Sequence, residues 1–261
     1  MKKIFAVLLA LAMIFSFAAC GEKKQPETKE PEPQQQEETK EPEVVIMSHD
    51  DFVAAALDTS VTVDTYVQAK QSWWDGKGTF YTQAEDGAYF LYNMACTEEE
   101  YDKLVPGTRI IVSGYKAEWS GEVEIIDAAY QIMDGSFIAE AKDVTDLLGK
   151  EELIDHQNEF VSFKGMTVEP STFKDADGKE KEVPFLYNWD GSGSEGNDLY
   201  FNVSKDGQTY NFTVESYLCG PETDVYQAVK ALNIGDVIDL EGFLYWYEGA
   251  NPHITSVKAA Q

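Results

Sequence analysis

A run from Leu104 to Asp127, LVPGTRIIVSGYKAEWSGEVEIID, returns 128 positions later, from Leu232 to Thr255, as LNIGDVIDLEGFLYWYEGANPHIT. Both copies space their glycines by seven residues, Gly107, Gly114 and Gly121 against Gly235, Gly242 and Gly249, and between them branched and aromatic residues alternate with polar ones. Alternation with a period of two is the pattern of a β-strand with one buried face. In each copy the first glycine starts a strand after a turn, the second marks a bulge or sharp bend inside it, and the third closes a hairpin. A sheet bent in mid-strand curls toward closure, so this duplication points to two copies of a small, curved β unit.

The rest of each unit follows from the same grammar. Ser48, with Asp51 three positions on, reads as a helix cap before a short apolar face of Phe52, Val53, Ala56 and Leu57. Val61 to Ala69 alternates as a strand, and a loop containing Trp73, Trp74, Asp75 and Gly76 leads to a second alternating run, Thr79 to Asn93, interrupted at Asp86 and Gly87. Asp-Gly between alternating runs signals a type I′ hairpin, which needs positive φ at both central residues. A helical or irregular link, Thr97 to Lys103, precedes the two glycine-spaced strands, which end near Ile132. In the second unit Phe160 to Glu169 matches the first strand, and Asp198 to Glu215, with its Asp206-Gly207 turn, matches the hairpin at an offset of 120. Val225, Ala228, Val229 and Leu232 have helical spacing between hairpin and glycine triplet, an insertion from Ser171 to Asn197 replaces the Trp73 loop, and Val144 to Leu153 reads as another short helix.

Val61 to Val67, Gln83 with Asp86-Gly87, Pro106-Gly107 and Trp119 with Gly121 together resemble the pattern of tandem OB-fold domains in bacterial surface lipoproteins. The resemblance covers nearly all of residues 45 to 258 and implies a mainly β chain of two five-stranded OB-fold-like barrels with short helices, residues 44–140 and 141–261. Its motifs are structural and imply fold rather than activity. Strand count and turn spacing also allow a small β-sandwich.

The amino end carries Lys2 and Lys3, an unbroken apolar run from Ile4 to Phe17, and then small residues, the pattern of a signal peptide over residues 1–19. At about fourteen residues the run is short of the ~20 that span a bilayer as a helix. Phe17-Ala18-Ala19-Cys20 resembles a lipoprotein lipobox, with Phe17 where leucine is usual; the resemblance implies that Cys20 is lipidated and that the protein sits on the outer face of the bacterial cytoplasmic membrane. A plain cleaved signal followed by an incidental cysteine satisfies the same charged, apolar and small-residue regions. Gly21 to Glu43 has no aromatic and no aliphatic residue and contains Pro26, Pro31, Pro33 and Pro42, a composition expected of a disordered tether over residues 20–43.

Twenty Lys and Arg against 47 Asp and Glu give a formal charge of −27. A surface this acidic repels phosphate backbones, so the sequence leads us to expect no nucleic-acid partner, although OB-folds often bind single strands by stacking bases in a basic groove. His49, His156 and His253 have no metal-ligand spacing, Asp175-Asp177-Gly178 fits a hairpin turn better than a calcium loop, and neither a catalytic constellation nor a cofactor is implied. Cys96 and Cys219 occupy near-equivalent places in the two units, which leaves both a disulfide and two partly buried thiols open.

In an OB-fold, ligands lie across the second and third strands between the loops after the first and fourth. In unit one this rule selects Trp73, Trp74, Tyr81, Tyr92 and Trp119 as candidate ligand-binding residues, with Phe80 and Tyr89 nearby; the competing role for most of them is core packing. The expectation from sequence is therefore a non-catalytic, lipid-anchored binding or adaptor module for a glycan or a basic protein, or else a carbohydrate-processing envelope protein or accessory subunit.

Overall fold

The computed structural model of the protein describes residues 45–260. The signal segment 1–19, Cys20 and the tether to residue 43 lie outside the described residues, as do Val44 and Gln261.

A helical turn, α1 (His49–Ala54), opens the first half. The Ser48 side chain accepts the Asp51 amide at 3.2 Å, as an N-cap requires. At its other end the buried Lys116 ammonium donates to the carbonyls of Phe52, Val53 and Ala55 at 2.9, 2.8 and 2.8 Å, placing a cation where the helix dipole is negative. The strands that follow are β1 (Ser60–Lys70), β2 (Lys77–Gln83), β3 (Ala88–Ala95), β4 (Thr108–Trp119) and β5 (Glu122–Ser136), with α2 (Glu98–Lys103) between the third and fourth. They close in the order β1-β2-β3-β5-β4, with β4 returning to β1 and β3 running parallel to β5. That strand order with its intervening helix is an OB-fold.

The second half repeats it with additions. A short strand, β6 (Lys142–Asp143), pairs with β7 (Phe160–Glu169); the insertion then forms a hairpin of β8 (Ser171–Lys174) and β9 (Glu180–Val183), followed by β10 (Leu186–Tyr187). Beyond it come β11 (Leu199–Lys205), β12 (Gln208–Val214), α3 (Asp224–Lys230), β13 (Val237–Phe243) and β14 (His253–Ala259). Pairings β7–β11–β12–β14–β13–β7 close a second five-stranded ring, to which β6 and β10 add edges. Each barrel has its own core: Val63, Phe80, Leu91, Ile110, Val112 and Ile125 contribute to the first, and Phe163, Phe201, Phe212, Val229, Leu240 and Ile254 to the second.

The mid-strand glycines sit where the ladders slip. Register breaks between Ser113 and Tyr115 in the β4–β5 pair and between Glu241 and Gly242 in the β13–β14 pair. A Cβ on Gly114 would stand 2.7 Å from the Ile126 carbonyl oxygen, and one on Gly242 would run into the His253 carbonyl. Only glycine lets the two backbones come this close at the bend.

Three local expectations are corrected. Asp206 and Gly207 have φ of +51° and +81° and make the tight two-residue turn, but neither Asp86 nor Gly87 has positive φ. The first hairpin instead closes over Ala84 to Gly87, where Asp86 accepts the His49 amide at 2.9 Å and Gly87 leaves room for the His49 ring. The stretch Val144 to Leu153 forms 3-10 turns at Thr145–Leu147 and Glu151–His156 rather than a helix, with Gly149 at φ +76° dividing them. Finally, the hairpin offset of 120 holds for the turns and not for the faces. Phe80 and Leu91 point into the first core, while Tyr200 and Asn211 point out of the second. The differing turns put the hairpins one residue out of step, which exchanges their faces.

Candidate ligand-binding site

The two barrels belong to one compact unit and meet on the outer face of β2 and β3. Tyr81 and Phe90 point away from the first core, and Phe243 and Tyr245 of the second barrel close over them, with Tyr81–Phe243 and Phe90–Tyr245 ring centroids 4.6 and 5.4 Å apart. Backbone and side-chain bonds ring this contact. The Ser72 amide donates to the Tyr217 carbonyl at 2.7 Å, the Glu248 amide to that of Ser120 at 2.7 Å, and the Phe160 amide to Gln83 Oε1 at 2.8 Å.

Burial disfavours the charged forms of the polar groups in the contact. The Tyr81 hydroxyl donates to His253 Nδ1 at 2.6 Å and accepts from Gln71 Nε2 at 3.4 Å. Burial pushes the His253 imidazole down to about 3 and the Tyr81 phenol well up, so both partners stay uncharged at neutral pH. Glu122 is fully buried; its Oε2 accepts the Trp246 amide at 2.8 Å, and its Oε1 has no partner among the described residues. Burial raises its carboxyl to about 8 and that of Glu124 to about 7.

This contact decides the fate of the predicted residues. Tyr81 is fully buried under the second barrel, so its assignment to a ligand face is corrected: the face exists, and the neighbouring barrel occupies it. Trp73 turns inward against the first core and donates its Nε1 proton to the Cys96 carbonyl at 3.0 Å, which leaves its neighbour Trp74 81% exposed. Trp74 and Tyr92 share a shallow depression with Tyr217 of the second half. Trp119, 54% exposed at the β4–β5 tip, goes elsewhere and packs on Tyr247 with centroids 5.1 Å apart. Cys96 and Cys219 are separate buried thiols, and burial pushes Cys219 up to about 12.

The Trp119–Tyr247 pair forms one wall of a cleft of about 680 Å³ on the second barrel. Its floor is the outer face of β11 and β12, through Tyr200 and Asn211; Trp189 from the long insertion and the β13–β14 loop, through Tyr245 and Asn251, form its sides. These are the second and third strands of the barrel, bounded by the loops after its first and fourth, which is the OB-fold ligand position. Tyr245 is stacked on His253 with ring centroids 4.3 Å apart, which joins this side of the cleft to the barrel contact. Two carboxylates complete the lining. Asp198 Oδ1 accepts the Ser216 amide at 2.8 Å and its hydroxyl at 2.6 Å, and Glu215 accepts the Leu218 amide at 2.8 Å. Burial, with Asp198 beside it, raises the Glu215 carboxyl to about 7.

Trp189, Tyr200, Tyr245 and Tyr247 were not selected from the sequence. Tyr247 had a signal, since it stands in the second repeat where Trp119 stands in the first. Trp189 had none, because the insertion that carries it has no counterpart in the first unit.

No protein-family model matches the sequence, and no curated protein matches it. Among solved structures the chain is similar to a murine DNA-binding protein bound with double-stranded DNA, at 12% identity and a TM-score of 0.36, over 77% of this chain and 96% of that one. It is also similar to the p204 HINb domain, at 11% identity and a TM-score of 0.34, over 78% of this chain and all of that one. A replication protein A heterotrimer bound to single-stranded DNA matches at 10% identity and a TM-score of 0.30, over 77% of this chain and 49% of that one. The expectation of a glycan or protein ligand, with nucleic acid set aside on charge, is corrected by the first and third of these matches, whose own descriptions give double-stranded and single-stranded DNA as the bound molecule. The physical fault in that expectation is that net charge sums a whole surface, whereas a stacked base meets one aromatic face.

Proposed function

We propose that this protein binds nucleobase-type rings, presented by a nucleoside or by the unstacked bases of a single strand, in the aromatic cleft of its second barrel. One observation carries the reading: the strand-two and strand-three face of that barrel is open, and Trp119, Trp189, Tyr200, Tyr245 and Tyr247 surround it. Aromatic side chains of this kind stack on any base, at about 1–3 kcal/mol per base. Asn211 and Asn251 add amide groups that donate to and accept from ring edges. Among the described residues no lysine or arginine lines the cleft, and with a formal charge of −27 the phosphates of a bound strand face outward.

Stacking without phosphate contacts has a distinct signature. Titration of tryptophan fluorescence with a short single-stranded oligonucleotide is expected to give quenching whose affinity holds or rises between low and moderate salt, since salt screens the repulsion. A steep fall with salt, as counterion release produces, or no quenching by any nucleoside or oligonucleotide, overturns the proposal.

The same reading includes display at a membrane. The apolar run, the lipobox-like Phe17 to Cys20 and the proline-rich segment support a lipoprotein anchored through Cys20 on the outer face of the bacterial cytoplasmic membrane, with residues 44–140 and 141–261 as its two domains. Cys20→Ala should release the protein into the medium; unchanged partition with membranes overturns the anchor.

A further inference from the structure

The cleft contains more than stacking requires. Asp198 and Glu215 both line it, and among the described residues neither is paired with a lysine, arginine or histidine. Each is fixed by hydrogen bonds from the link after β12, which orients the carboxylates without neutralising them. Glu215 is only 9% exposed, so its charge meets little water. Around them stand electron-rich rings whose faces attract positive charge.

We infer, building on the ring-binding reading above, that the cleft selects permanently cationic heteroaromatic rings, such as N-alkylated pyridinium or nucleobase cations, over their neutral parents. The aromatic walls and the two unpaired carboxylates act on the same ligand in this arrangement. A neutral ring gains stacking alone; a cationic ring gains stacking, attraction to the π-faces of Trp119, Trp189 and Tyr247, and the field of Asp198 and Glu215. An anionic ring is repelled by the same carboxylates. The charge of the ligand also supplies what the cleft lacks, a counter-ion for a carboxylate that burial otherwise keeps partly protonated.

The test compares 1-methylnicotinamide, a permanent cation, with nicotinamide, its neutral parent, and with adenosine, by calorimetry on the protein and on its Asp198→Asn and Glu215→Gln variants. The expected result is about tenfold tighter binding of 1-methylnicotinamide than of nicotinamide, and a smaller ratio between these two affinities in each variant. Equal affinity for cation and parent, with adenosine bound, overturns the selectivity and leaves the ring-binding reading standing. Failure of all three to bind overturns both. A preference that survives both variants also overturns the inference, because it removes the carboxylates from the mechanism.

Discussion

The outer face of strands two and three occurs twice in this molecule, with two different fates. On the first barrel Tyr81 and Phe90 make that face apolar, and the second barrel covers it. On the second barrel Tyr200 and Asn211 occupy it, flanked by Asp198 and Glu215, and it stays open. The difference lies in what each face can tolerate losing from water. Apolar rings gain from burial, on the order of 2–3 kcal/mol each, whereas covering Asp198 would desolvate a carboxylate that has no cationic partner among the described residues. One copy of this face has become an internal contact, and its duplicate stays open.

Breaking the covered face should have the largest effect. Tyr81→Ala removes the ring stacked on Phe243 and strips His253 of its hydrogen-bond partner, so thermal unfolding should show a loss of about 3–5 kcal/mol. A loss under about 1 kcal/mol would mean that the barrels do not depend on this contact.

The mid-strand bends come next. Gly242→Ala forces a Cβ against the His253 carbonyl, next to both the contact and the cleft, and should cost about 1–3 kcal/mol by chemical denaturation. Gly178→Ala meets no atom within 4 Å and is a control for φ strain alone, with a smaller cost.

The contact also sets a pH dependence whose sign can be worked out. Glu122, Glu124 and Glu215, raised to about 8, 7 and 7 in the folded state from 4.5, hold protons that the unfolded chain has released. Their contribution is fully present below about pH 4.5 and is lost as pH rises toward 8. His253, lowered to about 3 from 6.5, acts oppositely: its contribution is present above 6.5 and is lost as pH falls toward 3. Three groups outweigh one between pH 4.5 and 6.5, so stability should peak near pH 5 and decline toward pH 8. Glu122→Gln should flatten that decline and stabilise the protein at pH 8 by on the order of 1 kcal/mol; an unchanged pH profile would contradict the burial of that carboxyl.

Much of the first barrel was legible in the sequence because its determinants are local. The glycine triplets fixed the bends, Ser48 and Thr97 mark helix starts, and alternation marked the strands. What the sequence hid depends on contacts between distant residues. The alternation of Phe80 and Tyr81 showed that one points inward, and not that a second barrel would cover the other. Trp119 was selected as a ligand-face residue of the first unit, yet the cleft it lines lies on the second barrel. The shift from a four-residue to a two-residue turn exchanged the faces of the second hairpin, so reading the second unit by offset from the first hid Tyr200.

The most direct measurement of the difference between the two faces is ring binding by a matched pair of tryptophan variants. Trp74 and Trp189 are both exposed, at 81% and 75%, and their replacement should alter stability by no more than about 0.5 kcal/mol in either case. Trp74 borders the occupied face of the first barrel and Trp189 the open face of the second. With adenosine as the probe, Trp189→Ala should weaken binding at least about tenfold and Trp74→Ala should leave it unchanged. Loss of binding in Trp74→Ala with full retention in Trp189→Ala would place the site on the first barrel and contradict the account.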